Sequence, residues 1–268
     1  MALDKILIVG FGKMAQAMVS GWLDAGVQPE RFAVYHPRRS EVPGGITLYN
    51  QWPDEHFDAV LLAVKPQMLP GIAAELEPQM GSGTALISVL AGVKIASLAQ
   101  YFPRAGGVAR LMPNLAVALR KSPNALAAKG LDEGQKDELT WLANALGSAE
   151  WLEDESQFDL VTALAGSGPA FVFRFIDGLA AGATQLGLDR AQADRLALAM
   201  VEGASALAAG SEHSPGELAR RVASPGGMTQ KGIDVLDDGA GLERLLEKCL
   251  RAARDRGEEL AQAAQTKG

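Results

Sequence analysis

A glycine-rich turn near the N-terminus has residue types and spacing suited to binding a pyrophosphate. The segment ILIVGFGKMA places Gly10, Gly12 and Ala15 directly after an apolar run and at the head of a helical pattern. Gly10 permits a tight turn, Gly12 lets the backbone approach phosphate oxygens, and Ala15 keeps the helix close to the strand. Free N–H groups and a partial positive charge at a helix N-terminus favour the anion. The pattern predicts a dinucleotide site.

The segment after the second apolar run predicts which dinucleotide binds. An enzyme that uses NAD usually has an acid there to bond the ribose 2′-hydroxyl. This chain continues AVYHPRRS, and its first acid is Glu41. His36, Arg38 and Arg39 instead suit a 2′-phosphate, which an arginine clamps with two N–H groups. We therefore expect NADPH, with NADH as the less favoured cofactor.

A second glycine-rich segment, RRVASPGGMTQKG, interrupts the helical second half of the chain. Ser224 reads as a helix N-cap and Pro225 as the first helical residue. Gly226 and Gly227 then have no evident structural purpose, because glycine at the head of a helix costs stability. A helix N-terminus without side chains also cradles a carboxylate. The residues of this segment are therefore suited either to starting a helix or to binding a carboxylate.

Hydrophobic patterning divides the chain into an α/β half and a helical half. Short apolar runs alternate with helical stretches up to about residue 155, which is typical of a doubly wound parallel sheet. The predicted strands are 5–10, 32–35, 59–64, 84–90, 124–129 and 149–154. The later segments carry apolar residues only at helical spacing. The fold class predicted is α/β: an N-terminal Rossmann-type doubly wound sheet, residues 1–155, followed by an all-helical substrate and dimerisation domain, residues 156–268.

Composition limits the partners. The chain has 268 residues, 48% of them hydrophobic and 21% charged, which is ordinary for a globular protein. A net charge of −7 argues against nucleic-acid binding. We expect no membrane association, because no uninterrupted apolar run reaches the roughly 18 residues of a membrane span. No targeting segment precedes the first strand, and the single cysteine, Cys249, fits a reducing compartment, so a cytoplasmic location is expected. No metal site is predicted.

Six segments together resemble the Δ1-pyrroline-5-carboxylate reductase family along nearly the whole chain. They are VGFGKMA, LLAVKPQ (61–67), SVLAG (88–92), RLMPN (110–114), TALAGSGPAFVF (162–173) and VASPGGMTQKG (222–232). The chain departs from the family pattern at Leu115-Ala116, Ala165, Leu90 and Met228, where hydroxyls are lost or bulk changes. These departures concern turnover and substrate choice more than fold.

The resemblance implies reduction of 1-pyrroline-5-carboxylate to L-proline, the last step of proline biosynthesis, by hydride transfer to the imine carbon. Thr229 is implied as the catalytic residue, with its hydroxyl beside the ring nitrogen. Seven residues are expected to bind substrate: Glu212, Val222, Ser224, Gly226, Gly227, Met228 and Thr229. Eighteen are expected to bind cofactor: Gly10, Phe11, Gly12, Lys13, Met14, Ala15, His36, Arg38, Arg39, Asn50, Ala63, Val64, Lys65, Pro66, Ala91, Gly92, Met112 and Asn114.

Three alternatives remain at this point. A hydroxy acid dehydrogenase has a similar two-domain plan but needs a lysine or histidine as general acid. After residue 150 the chain offers only Lys231, Lys248, Lys267 and His213, and we expect His213 to serve helix entry before a capping box at Ser214. A reductase for another cyclic imine, or a non-catalytic dinucleotide-binding scaffold, also fits.

We expect a homodimer through the helical half, with a larger oligomer of dimers left open.

Overall fold

The computed structural model describes residues 3–265 and the side chains of residues 3–259, so the predicted domain ends at residues 1–2 and 266–268 lie outside the described residues. An eight-stranded sheet has the strand order β3-β2-β1-β4-β5-β6-β7-β8. All neighbouring strands are parallel except β6 and β7, which run antiparallel. The strands are β1 Ile6–Val9, β2 Phe32–Tyr35, β3 Thr47–Tyr49, β4 Ala59–Leu62, β5 Ala85–Ser88, β6 Gly107–Met112, β7 Ser122–Lys129 and β8 Gly147–Trp151.

The prediction found six of these strands and missed two. Strand β3 has only three residues at the edge of the sheet, and its side chains are exposed or half-buried, so it carries no apolar run. Strand β6 is central, but its buried Arg110 breaks the apolar pattern. Both were missed because strands were sought as continuous apolar stretches.

Two apolar layers cover the sheet and explain why β1 is hydrophobic throughout. Ile6 and Ile8 face one layer, whereas Leu7 and Val9 face the other. The helices of this half are α1 Lys13–Asp24, α2 Leu69–Leu76, α3 Ile95–Tyr101, α4 Glu133–Ala145 and α5 Phe158–Val161. The first layer contains apolar side chains of α1 and α4, and the second contains those of α2 and α3. Burial on both faces is the usual environment of a parallel sheet.

The second half is helical, as predicted, and residues 152–265 contain no strand. Its helices are α6 Gly168–Gln185, α7 Arg190–Ala209, α8 Pro215–Val222, α9 Met228–Asp237 and α10 Gly241–Gln265. Their shared core is small, built around Ala180, Ala193 and Ala197. Many large apolar side chains are exposed instead, among them Leu196, Met200 and Leu207 on α7. A single copy of this half therefore does not bury its own apolar surface.

Backbone packing places the boundary between the halves later than residue 155. One compact unit extends to Ser167 and takes in α10 from Ala253 onward, and the other is Gly168–Ala252. Phe158 is fully buried in the second layer under the sheet, so α5 and the π-helical turn Thr162–Gly166 belong with the α/β unit. The change from strand-like to helical patterning does not coincide with the change of core.

The expectation that no segment could span a membrane needs correction. Within the described residues, the helical stretch Glu155–Gln185 is long and apolar enough to do so by length and composition. Our criterion required an uninterrupted apolar run, whereas average hydropathy tolerates Arg174 and Asp177 within the stretch. One such helix is weak evidence for a membrane, because helices of soluble proteins pass the same test.

Candidate functional site

The turn after β1 requires glycine at position 10. Gly10 has φ +88°, in the region that side chains disfavour. A Cβ there would lie 2.7 Å from Val64 Cγ1 and 2.9 Å from the Ala63 carbonyl oxygen. The Gly10 N–H donates to the Tyr35 carbonyl at 3.0 Å. The turn therefore packs tightly against the ends of both neighbouring strands, β2 and β4.

The N-terminus of α1 is open for an anion. Gly12 is its N-cap, no side chain caps the helix, and its first turn holds no acid. A Cβ added at Gly12 would meet nothing within 4 Å, so the space beside Gly12 at the head of the helix is open. Lys13 is exposed, Met14 is half-buried and Ala15 is buried against the sheet. These features fit the pyrophosphate of a dinucleotide.

The basic turn after β2 lies beside the glycine turn that precedes α1. His36 and Arg39 are half-buried, and Arg38 is exposed. The Arg39 guanidinium lies over the Phe11 ring, 4.9 Å from its centroid, so it is held against the turn between Gly10 and Gly12. Asn50 donates from Nδ2 to the carbonyls of His36 and Arg39. The cation placed here is of the kind that a ribose 2′-phosphate requires.

The remaining predicted cofactor residues lie at the same edge of the sheet. The last residues of β1, β2, β4 and β5 are paired in register, Val9 with Tyr35 and Leu62, and Leu62 with Ser88. The carboxyl ends of parallel strands are where open α/β sheets bind ligands. The residues that follow these strands or end β6 are Ala63, Val64, Lys65, Pro66, Ala91, Gly92 and Met112. Lys65 is exposed, and Gly92 has φ +73°.

Asn114 has a structural task at this edge. Its Oδ1 accepts from the Ala116 N–H at 2.8 Å and caps the turn Leu115–Leu119. Its Nδ2 donates to the Ala165 carbonyl at 2.9 Å, within the π-helical turn. Asn114 thus joins the end of β6 to the turn Thr162–Gly166. A direct contact of this side chain with cofactor remains a prediction.

The sequence analysis missed a buried ion pair near this edge. Arg110 is 3% exposed, its Nη1 lies 2.9 Å from Glu155 Oε1, and its guanidinium lies 3.7 Å from the Phe158 ring centroid. Burial lowers the pKa of Arg110, which the carboxylate of Glu155 opposes. Glu155 also accepts the Ile95 N–H at the start of α3. The available signal was an arginine within the apolar run GVARLM.

The late glycine turn differs from its prediction. Helix α9 begins at Met228 with Gly227 as N-cap, so Ser224 is not the N-cap and Pro225 is not the first helical residue. Gly226 has φ +72°, which stops a helix from running through it. A Cβ at Gly227 would lie 2.4 Å from Ser224 Oγ and 3.1 Å from the Ser224 carbonyl oxygen. Gly226 is therefore favoured by its own backbone, and a side chain at position 227 would displace the Ser224 hydroxyl, so both glycines have a structural purpose, contrary to our expectation.

The predicted substrate residues are exposed within the helical unit. Val222 is 70% exposed and Met228 95%, and Thr229 and Glu212 are exposed as well. The first turn of α9 contains no acid, and no side chain caps it. His213 lies directly before α8, as predicted. The next residue, Ser214, is the N-cap of that helix and forms a capping box with Glu217. The described residues contain no group of three or more His, Cys, Asp and Glu side chains arranged to hold a metal ion.

Comparison with known proteins gives the family. Residues 155–260 match the family model described as pyrroline-5-carboxylate reductase dimerisation, and residues 5–92 match the model NADP oxidoreductase coenzyme F420-dependent. A pyrroline-5-carboxylate reductase of Pseudomonas aeruginosa is 34% identical over 98% of both chains. The chain belongs to the pyrroline-5-carboxylate reductase family. The resemblance predicted from the six segments is confirmed.

Two solved structures of pyrroline-5-carboxylate reductases share the fold. The one from Coxiella burnetii superposes with a TM-score of 0.87 at 31% identity, covering 96% of this chain and 98% of that one. The one from Plasmodium falciparum, determined with NADP bound, has a TM-score of 0.79 at 23% identity, covering 97% and 99%. The residues that match the dimerisation model, 155–260, contain the exposed apolar helices α6, α7 and α9, and the match supports a homodimer.

Proposed function

We propose that this protein reduces 1-pyrroline-5-carboxylate to L-proline with NADPH, the last step of proline biosynthesis. The observation that carries the proposal is the presence, in a chain of this family, of two glycine turns that each open a helix N-terminus. The first, Gly10 to Gly12, suits a pyrophosphate, and the second, Gly226 to Gly227, suits a carboxylate. The substrate has one carboxylate and one imine, so a single anion site orients it.

The α/β unit has the residues to hold the cofactor. The N–H groups at the head of α1 would bind the pyrophosphate, and Arg38 and Arg39 the 2′-phosphate. Ala63, Val64 and Pro66 would contact the cofactor through apolar surface, and Lys65 a ribose hydroxyl or the substrate carboxylate. When bound, NADPH supplies the hydride. The arginines after β2 favour it over NADH.

The turn before α9 has the groups to hold the substrate. The N–H groups of Met228 and Thr229 would donate to the carboxylate, and the Thr229 hydroxyl would donate to or accept from the ring nitrogen. Glu212, Val222 and Ser224 would complete the site. A protonated imine already carries an electrophilic carbon, so orientation supplies most of the rate enhancement and no strong general acid is needed. This suits a helical unit in which Lys231 is 77% exposed and His213 precedes the N-cap of α8.

The proposal extends to assembly and location. Exposed apolar residues of α6, α7 and α9 would form the homodimer interface, and dimers would associate further into a larger oligomer. The protein would work in the cytoplasm, without nucleic-acid or membrane partners. Light scattering after size exclusion measures the assembly, and fractionation of cells measures the location.

The activity test compares substrates and cofactors on the purified protein. With pyrroline-5-carboxylate we expect oxidation of NADPH, and slower oxidation of NADH. With hydroxy acids we expect no reduction of NADP. Another cyclic imine as the better substrate would revise the substrate class. Binding of NADPH without turnover of any imine would instead indicate a non-catalytic scaffold.

Replacing Thr229 tests the assigned catalytic residue. Thr229→Ala should lower kcat/KM for pyrroline-5-carboxylate by about 10- to 100-fold, the usual cost of a hydrogen bond to a charged or reacting group, and leave NADPH affinity unchanged. Thr229→Ser keeps the hydroxyl and should retain most of the activity. An effect confined to NADPH binding would contradict the assignment.

A further inference from the structure

The four-residue turn from His36 to Arg39 is held at both ends by one side chain. Asn50 lies in the loop after the edge strand β3, and its Nδ2 donates to the His36 carbonyl at 2.8 Å and to the Arg39 carbonyl at 2.7 Å. The His36 N–H donates to the carbonyl of Tyr49, the residue before Asn50, at 3.0 Å. The donors of the Asn50 amide are thus committed to the backbone of the basic turn. A direct contact of Asn50 with the cofactor stays a prediction.

A second contact fixes the direction of the Arg39 side chain. Its guanidinium lies 4.9 Å from the centroid of the Phe11 ring and donates from Nη1 to the Glu41 carbonyl at 3.1 Å. Phe11 is 4% exposed, and its carbonyl accepts from Gln16 Nε2 at 2.9 Å. The ring is therefore a fixed platform that belongs to the phosphate turn itself. It determines where the guanidinium lies relative to Gly10 and Gly12.

We propose that Asn50 and Phe11 are positioning residues that set the preference of this chain for a 2′-phosphorylated dinucleotide. Asn50 fixes the backbone of the basic turn, Phe11 fixes the guanidinium, and Arg39 receives the phosphate in place. Without these contacts a flexible arginine on an exposed turn would lose side-chain and backbone entropy on binding, and preorganisation removes that cost. The proposal rests on the proposed use of NADPH, and it adds which residues create the preference.

The test measures binding of two ligands that differ only in the 2′-phosphate. Calorimetric titration with 2′,5′-ADP and with 5′-AMP isolates that group without any catalytic step. For Asn50→Ala we expect 2′,5′-ADP to bind about 10-fold more weakly, the equivalent of roughly one lost charge-assisted hydrogen bond, while 5′-AMP stays within about 2-fold. For Phe11→Leu, which keeps apolar bulk, we expect a loss of about 3-fold for 2′,5′-ADP only.

A double-mutant cycle tests whether Asn50 acts through Arg39. In an Arg39→Ala background, Asn50→Ala should change the affinity for 2′,5′-ADP by less than about 2-fold. Gln51→Ala, at the exposed neighbouring position, is the matched control and should bind both ligands as the wild type does. Thermal unfolding of each variant identifies any that are misfolded. Asn50→Asp is a second replacement, to be used if Asn50→Ala does not fold.

Three outcomes overturn the proposal. Equal weakening of both ligands by Asn50→Ala would mean that Asn50 contacts the adenosine itself. No weakening of either would mean that the turn holds its shape without the amide, and additive losses in the cycle would mean that Asn50 does not act through Arg39. The wild type separately tests the cofactor assignment: if it binds 5′-AMP as tightly as 2′,5′-ADP, the proposed use of NADPH is wrong as well.

Discussion

At the scale of single residues, the glycines of the phosphate turn have different reasons to be glycine. Gly10 is required by its own backbone, with φ +88° and atoms of Ala63 and Val64 within 3 Å of the missing Cβ. Gly12 has an ordinary φ of −76° and open space where its Cβ would be. The fold therefore does not require glycine at position 12, and we propose that a ligand does.

Alanine at each position should separate the two reasons. Gly12→Ala should leave the melting temperature unchanged and weaken NADPH binding by at least about 10-fold, because its Cβ occupies space needed by the pyrophosphate. Gly10→Ala should also lower the free energy of unfolding by about 1–3 kcal/mol through backbone strain. Thermal unfolding and calorimetric titration of both variants measure this. Unchanged NADPH affinity in Gly12→Ala would contradict our placement of the pyrophosphate.

The buried pair of Arg110 and Glu155 gives a prediction about stability. Glu155→Gln removes the charge that compensates a guanidinium with 3% exposure, so we expect a loss of about 2 kcal/mol. This is below the usual figure for a buried pair because Glu155 is itself 26% exposed. Glu247→Gln, in an exposed pair with Arg251 on α10, should cost less than about 1 kcal/mol. Equal losses in denaturant titration would show that burial of Arg110 does not govern the energetics.

At the scale of elements, the sequence predicted what is local and repetitive. Six of the eight strands and the capping box of α8 follow from residue types within a few positions, and these were found. The prediction failed where tertiary contacts decide. Strand β6 forms around a buried arginine whose partner is Glu155, 45 residues away. Helix α9 begins three residues later than predicted, because Gly226 takes a positive φ. The N-cap preferences of Ser224 and Pro225 do not indicate that conformation.

The same limit applies to the candidate site. The glycine-rich fingerprint and the arginines after β2 predicted the phosphate turn and the cation beside it, because each feature is carried by a few consecutive residues. The amide of Asn50 and the ring of Phe11 meet the basic turn only through the pairing of β3, β2 and β1. The positions of Asn50 and Phe11 in the sequence do not indicate that they contact the basic turn.

The turn before α9 gives the prediction at this scale. In Gly227→Ala the new Cβ would displace the Ser224 hydroxyl and crowd its carbonyl, so KM for pyrroline-5-carboxylate should rise by about 10-fold or more. Gly232→Ala lies within α9, where a Cβ meets nothing within 4 Å, and should leave KM unchanged. Steady-state kinetics on both variants measures the difference. A normal KM in Gly227→Ala would exclude this turn as the carboxylate site.

At the scale of the whole molecule, the exposed apolar surface is the main unsatisfied feature of a single chain. Leu196 and Met200 on α7 are each about half exposed, although large apolar patches on a monomer are uncommon. A charge in the middle of an apolar interface is costly. Leu196→Glu should therefore shift the protein from dimer towards monomer in light scattering after size exclusion. Gln192→Glu, with the same charge one turn earlier, is the control, and a dimer that survives Leu196→Glu would place the interface elsewhere.

The most direct test of the account follows the hydride into the product. Purified protein would be incubated with pyrroline-5-carboxylate and with NADPH carrying deuterium at both C4 positions, and the product analysed by mass spectrometry and NMR. The account predicts L-proline with one deuterium, located at C5. Unlabelled proline, deuterium at another carbon, or no proline at all would contradict it.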